Sequence, residues 1–465
     1  MQHLTWQPRT PLERAGLKIV RLLHQENFAA FWVGGVVRNF LLHKNSDNLD
    51  IATSALPDQV EQILSRAGIK TKPVGKKFGS ILALPQSQKI EITTFRSEGR
   101  YSDNRHPDRV VFVDTYTEDA KRRDFTVNAL YFDPVEQILL DPTGGLKHLS
   151  AGILKFVGDP KKRIDEDALR MMRGVRLSTQ LGFKLERNAF AAIKTRAKYI
   201  QNISGERVRT ELDKILLSEN RVPGLKLLDE TGLLKFIIPE MEKLKKVRYD
   251  SKLQHLEGDM FTHSLAAVEF LRQPADLRLV YAVLFHDIGK IVKPITIVDP
   301  ETGEKRLSYR GHIQKSGEIF LNFAKRFKFS RADSRIIFSL IIRHDDRSLK
   351  FANRPKTDQI RYLLGPNMDM LLEVWRADSL ANLRRINGRL VNRVSPQYLA
   401  AKKLAAEIKS SQKLIDKLAR GDLIMKFSKL QPGRGLGQKI EEVALAIVLG
   451  LIKSEFDLKK FLRNT

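Results

Sequence analysis

The sequence predicts an α+β N-terminal unit followed by an essentially all-α remainder, and three observations carry that prediction. Short apolar runs bounded by turn residues fill the first 150 positions. Beyond residue 160 the apolar spacing changes to three and four, as in ALRMMRGVRLSTQLGF, which is the helical period. Finally, 465 residues with 42% apolar and 29% charged side chains supply several cores, at ~150 residues per domain, and too little bias for a disordered or fibrous chain.

In chain order, residues 11–30 read as a helix with Leu17, Val20, Leu22 and Leu23 on one side. FWVGGVVRNFLL follows as strand, glycine turn and helix. Strand-like runs lie at Leu49–Ala52, Ile81–Leu84, Lys89–Phe95, Val110–Val113 and Ala129–Phe132, which makes about five strands in a unit spanning 1–150. A helical stretch covers 151–245 and ends in the charged run MEKLKKVRYDSKL. A further helical unit covers 250–385, interrupted by TIVDPETGEKRLSYRG, two strand-like pieces around a turn. A basic helical tail runs over 386–465. Its QPGRGLGQ resembles a phosphate loop only superficially, and a helix-start turn is the simpler reading.

Composition narrows the function. Lys+Arg 81 against Asp+Glu 54 leaves a net charge of +27, which favours a polyanionic partner through phosphate contacts and counterion release. The absence of cysteine excludes disulfide frameworks, zinc thiolates, iron–sulfur clusters and thiol catalysis, so any metal must use His, Asp or Glu. No leader-like stretch opens the sequence and the longest apolar run, Val443 to Ile452, is short of a membrane span; a cytoplasmic location, with no membrane partner, is the expectation.

Two constellations carry chemistry. In the first, Gly34-Gly35 between strand and helix lets a backbone approach a phosphate, with Arg38 to meet its charge. Asp50 then stands on the next strand, where carboxylates could hold Mg²⁺ against a triphosphate. Arg122-Arg123-Asp124 places two guanidiniums at a turn, a composition suited to polyphosphate. Asp167, Arg170 and Arg173 recur at intervals of three, as on one helix face.

These segments, VGGVVRNFLL, DNLDIATSALPDQV, EITTFRSEGRYSDNRHPDRV, EDAKRRDFTVNALYFD, RIDEDALRMMRGVRLSTQLGF and ISGERVRTEL, closely resemble the class II tRNA nucleotidyltransferase (CCA-adding enzyme) and poly(A) polymerase family of the polymerase β superfamily. The resemblance covers about half the chain. It implies a polymerase β-like nucleotidyltransferase head over 1–150 and a helical, nucleotide-selecting, RNA-binding neck over 151–245. It also implies addition of C and/or A from CTP and ATP to the 3′ end of tRNA with Mg²⁺ in the head. Glu91 would be a third carboxylate; Asp124 and Asn128 would shape the sugar side; Asp167 and Arg170 would pair with the base edge, Arg173 would support phosphate or base, and Glu166 and Glu206 with Arg207 would brace the neck. GRYSDNRHPDRV matches the family's mobile loop. CCA, A-only, C-only and poly(A) addition share this motif set.

One position departs from the pattern. The family carries Asp-x-Asp where this chain has Asn48-Leu49-Asp50. Three consequences stand open: Asn48 as a neutral ligand with weakened transfer, rescue by the adjacent Asp47, or a head that binds RNA and nucleotide without turnover.

In the second constellation, His263, His286, Asp287, His312, His344 and Asp378 occur in an order that resembles the six-ligand form of the HD phosphohydrolase superfamily. This implies a divalent transition-metal site in 250–385, with Asp287 bridging two cations, and Lys290 adding charge toward phosphate. The alternative to a transferase is therefore an HD phosphohydrolase acting on RNA or nucleotide ends.

Overall fold

The computed structural model describes residues 2–99, 110–248, 256–298, 305–344, 351–365, 367–386 and 389–464. Two compact units divide between Ile237 and Ile238.

The first unit is built on a mixed sheet. Its strands are β1 (Gln2–His3), β2 (Ala30–Val33), β3 (Leu49–Thr53), β4 (Lys70–Lys72), β5 (Ser80–Leu84), β6 (Ile90–Thr94), β9 (Tyr131–Asp133) and β10 (Ile138–Leu140), while β7 (Arg96–Glu98) and β8 (Val110–Phe112) form a separate antiparallel pair. The sheet order is β1-β10-β9-β2-β3-β6-β5-β4. Among the described residues ten strands thus stand within 1–150 where about five were expected, because short edge strands such as Gln2–His3 and Lys70–Lys72 have no apolar alternation to announce them.

Helix α1 spans Pro11–Gln25 and starts at a capping box, in which Thr10 Oγ1 accepts from the Glu13 amide at 3.2 Å and Glu13 Oε2 accepts from the Thr10 amide at 3.3 Å. It stops short of the expected residue 30 because Asn27 turns to φ 63°. Helix α2 (Gly35–Leu41) follows β2, α3 (Pro57–Arg66) follows β3, and α4 (Tyr116–Lys121) precedes the Arg122-Arg123 turn. Next come α5 (Gly145–Ser150), α6 (Pro160–Glu166) and α7 (Leu169–Leu181).

Alternation on β3 and β6 fixes the chemistry-bearing face. Leu49 and Ile51, like Ile90 and Ile92, are buried, so Asp50 and Glu91 turn outward. The parallel register pairs Asp50 with Glu91 directly.

The second unit is mainly helical. It begins with Pro239–Leu244, which buries Met241 and Leu244 and packs near the turn Ile288–Ile291 and the helix Met260–Glu269. Helix Met260–Glu269 packs on Met368–Ala381, and Leu277–Phe285 on Arg331–Arg343. The interruption is an antiparallel pair, Ile295–Val298 with Lys305–Ser308; its turn lies outside the described residues. The tail is helical and closes its own core around Leu418, Ile424, Leu436, Val443, Ile447 and Leu458. Gly433 immediately precedes the helix Arg434–Val448. Among the described residues no helix is long and apolar enough to cross a membrane.

Candidate functional sites

The first site forms where β2 ends. Gly34 adopts φ 75°, ψ −131°, a conformation that L side chains avoid. A β-carbon on it would stand 3.7 Å from Asp50 Oδ2 and 3.9 Å from Arg123 Nη1. The glycine turn, the β3 carboxylate and the second arginine of the basic turn therefore meet in one place. Asp50 is exposed to solvent, yet the protein packed around it strips part of its hydration, and this desolvation together with Glu91 pushes its carboxyl up to about 6 against the pull of Arg123 and Arg173. Two adjacent carboxylates that resist joint ionisation suit a cation between them, so Asp50 and Glu91 fit a divalent metal.

Asn48 and Asp47 are both exposed just ahead of β3. Asn48 lies two positions from Asp50, which the strand period assigns to the same face, while Asp47 sits in a bend.

Around this edge the predicted residues form a chain of contacts. Arg38 donates from Nη1 to Asn128 Oδ1 at 2.5 Å and from Nη2 to Asn39 Oδ1 at 2.8 Å. It is buried, and burial, with Arg176, lowers its guanidinium to about 10. Asn128 donates to Asp124 Oδ1 at 3.3 Å, and Asp124 Oδ2 accepts from Arg173 Nε at 2.8 Å. Desolvation would raise the Asp124 carboxyl, but Arg173 overrides it and holds the group well below the carboxylate range. Arg173 thus anchors α7 to the basic turn.

The helix face expected for Asp167 and Arg170 is interrupted. Asp167 is the extended residue between α6 and α7, and its Oδ1 accepts from the Leu169 amide at 3.0 Å. Its Oδ2 accepts from Arg207 at 3.1 Å. Arg170 pairs with Glu166 and donates to the carbonyls of Arg163 at 2.9 Å and Arg122 at 3.3 Å. Glu166 therefore braces Arg170 and Arg163, while the Arg207 brace falls on Asp167. The mobile-loop match lies almost wholly outside the described residues.

The second site collects all six expected ligands. His263, His286 and Asp287 present ligand atoms within 4.8 Å of one another, as do Asp287, His312 and His344. Asp378 Oδ1 lies 3.1 Å from His263 Nε2. The Nδ1–H of His286, His312 and His344 donates to the carbonyls of Val283, Tyr309 and Ile341 at 2.6, 2.8 and 2.5 Å, and that of His263 to Glu257 Oε1 at 2.7 Å. This fixes the tautomer with each Nε2 lone pair facing inward. Burial also lowers the His263 pKa, favouring its neutral form. Lone pairs and carboxylate oxygens then confront one another, Asp287 Oδ2 at 3.2 Å from His286 Nε2 and Oδ1 at 3.3 Å from His344 Nε2. His286 Nε2 and Asp287 Oδ1 are buried without a hydrogen bond. Such a set of acceptors fits cations, and Asp287 belongs to both triads, as a bridging carboxylate would. Lys290 is buried with Nζ 2.5 Å from Asp287 Oδ2, so its charge is directed at that carboxylate.

Sequence reasoning overlooked two residues. Asp119 precedes Arg122 and Arg123 by three and four positions on α4, the one available signal. Glu257 precedes the histidine helix with no spacing to mark it; its Oε2 also accepts from the Leu383 amide at 2.9 Å.

The nucleotide-type head, helical neck and HD cluster define a polymerase-head nucleotidyltransferase with an appended HD domain. Family models match accordingly: Poly A polymerase head domain over 30–155, probable RNA and SrmB-binding site of polymerase A over 182–245, and HD domain over 260–381. A CCA-adding enzyme of Streptococcus pneumoniae is 30% identical over 438 residues, 94% of each chain. The chain belongs to the CCA-adding enzyme family. The CCA-adding enzyme of Enterococcus faecalis is 44% identical over 218 residues, 47% of this chain, and the match spans 52% of that relative's length. The solved Bacillus stearothermophilus CCA-adding enzyme in complex with CTP aligns at TM-score 0.69 with 26% identity and 98% coverage of both chains.

Proposed function

We propose that this chain adds C and A to the 3′ end of tRNA, using CTP and ATP. The observation that carries the reading is the meeting of the Gly34 turn, Asp50 and Arg123, with Glu91 paired to Asp50 across the sheet. A Mg²⁺ ion held by Asp50 and Glu91, with Asn48 as a neutral ligand, would supply Lewis-acid assistance to the attacking 3′-hydroxyl and the departing pyrophosphate. Gly34 leaves room for the triphosphate, and Arg122 and Arg123 offset its charge. Arg170, tied to the Arg122 carbonyl, links the base-reading segment to the phosphate-holding turn. There Asp167 accepts from an exocyclic amine and Arg170 donates to the ring edge. The basic surface holds the acceptor end by shape and phosphate. Action on tRNA would place the chain in the cytoplasm. The CTP complex of the Bacillus stearothermophilus relative supports the nucleotide assignment.

A second reading rests on the two triads that share Asp287: the 250–385 region is a metal-dependent phosphohydrolase acting on RNA ends or nucleotides. Incorporation of labelled CTP and ATP into tRNA by the wild type, by Asn48→Asp and by Asp50→Ala tests the first reading. Incorporation that is raised by Asn48→Asp and abolished by Asp50→Ala supports it; a wild type that incorporates nothing, beside active hydrolysis of a 2′,3′-cyclic nucleotide, leaves only the second.

A further inference from the structure

Asp119 gathers the Arg122 and Arg123 side chains, the Tyr131 hydroxyl and the Arg96 amide, and nothing in the proposed transfer uses it directly. Its side chain is fully buried. Oδ1 accepts from Arg122 Nε at 2.8 Å and from the Arg96 amide at 3.3 Å, with Arg122 Nη2 at 2.7 Å. Oδ2 accepts from Arg123 Nε at 3.2 Å, from Arg123 Nη2 at 2.9 Å and from the Tyr131 hydroxyl at 2.6 Å. Arg123 Nε also donates to the Tyr131 oxygen at 2.8 Å, and the guanidinium lies 5.1 Å from the Tyr131 ring centroid. Desolvation would raise this carboxyl, but Arg123 and Arg122 outweigh it and hold it down at about 2, so it is an anion at any working pH.

The arrangement has a direction. With Nε and Nη2 of Arg123 held on Asp119, Nη1 is the end left beside Gly34 and Asp50. The Arg96 amide, just beyond β6, ties the same carboxylate to the strand that carries Glu91. We infer that Asp119 is a positioning residue: it sets both guanidiniums of the basic turn relative to the Asp50–Glu91 edge, so that Arg123 Nη1 meets the triphosphate of the incoming nucleotide. This rests on the proposed nucleotide site and deepens it. Because the contact addresses phosphates, Asp119 supports ATP and CTP equally and takes no part in base choice, which belongs to Asp167 and Arg170.

The test is calorimetric binding of non-hydrolysable ATP and CTP analogues, with ADP and AMP for comparison, to the full chain in Mg²⁺. It is run for wild type, Asp119→Asn, Tyr131→Phe, Arg123→Ala and the Asp119→Asn/Arg123→Ala pair, with thermal unfolding confirming the folded fraction. Expected for Asp119→Asn are losses of about tenfold or more for both triphosphates, since a charge-assisted contact is disturbed, little change for AMP, and an unchanged CTP-to-ATP ratio. Tyr131→Phe, which keeps the ring, should lose about threefold in the same direction. The pair should lose less than the product of the two single losses, because part of the Asp119 effect runs through the Arg123 guanidinium that both changes remove from play. Wild-type triphosphate affinity in folded Asp119→Asn, or losses that multiply in the pair, would overturn the positioning role while leaving the nucleotide site standing. A wild type that binds no triphosphate would overturn both.

Discussion

Gly289→Ala is the sharpest structural perturbation available. A β-carbon at Gly289 would stand 2.1 Å from the backbone oxygen of His312, 2.5 Å from the Ser316 amide nitrogen and 2.9 Å from Ser316 Oγ. Nonbonded carbon and oxygen approach to about 3.2 Å, so the overlap is about 1 Å. The first neighbours met are backbone at the start of the helix His312–Arg326, which cannot step aside by a rotamer change. That helix must therefore retreat from the turn Ile288–Ile291, breaking the hydrogen bond from the Gly289 amide to Ser316 Oγ at 2.9 Å. Overpacking of this kind costs about 3 kcal/mol, which lowers the unfolding temperature of a unit this size by about 6–12 °C at 2–4 °C per kcal/mol. The same retreat carries His312 Nε2 away from Asp287 Oδ1, now 3.6 Å distant, and should weaken one metal position by about 10–100-fold. Calorimetry with elemental analysis after dialysis reads both effects. A variant with wild-type melting temperature and wild-type metal content would refute the argument.

Other expectations follow from the charges. The Asp119 carboxyl is lowered to about 2 in the fold, so its ionisation stabilises above the unfolded value of about 3.9 and the benefit is lost as pH falls from about 4 to 2; it amounts to about 2–3 kcal/mol. Stability of Asp119→Asn should therefore depend less on pH in that window than the wild type's, as urea titrations would show. Asp50 is shifted the other way, to about 6, so stability falls as pH rises from about 4, where the unfolded carboxyl ionises, to about 6, and the full penalty stands above that; with solvent screening discounted, Asp50→Asn should gain about 1 kcal/mol of stability at pH 7.5 in chelator while losing incorporation. Glu257→Gln removes the anion that orients His263, and metal affinity measured by competition with a chromophoric chelator should drop about tenfold or more; unchanged affinity would show that Glu257 only braces Leu383.

The legible parts of this molecule were those with a period or a motif. The Gly34 turn, the alternation that exposes Asp50 and Glu91, and the order of the HD ligands all reflect local chemistry that spacing records. Edge strands such as Gln2–His3 were not legible, because pairing with Ile138–Leu139 is decided by tertiary contact. The break at Asp167 was also hidden: Asp167 and Arg170 keep helical spacing in sequence, but Asp167 leaves helical geometry to cap α7 and meet Arg207. The hydrogen bond from Arg38 to Asn128 was not legible either, since its partner is 90 residues away. The hubs Asp119 and Glu257 are defined by what converges on them, which no linear spacing expresses.

The central claim is that the Asp50–Glu91 edge transfers nucleotides despite the neutral Asn48. It is tested most directly by sequencing the 3′ termini of a tRNA lacking its tail after incubation with the protein, Mg²⁺ and each nucleoside triphosphate singly and together. The account predicts C residues with CTP alone, a completed CCA with CTP and ATP, and no extension by Asp50→Ala. Unextended termini in every wild-type reaction, with the tRNA demonstrably bound, would contradict it.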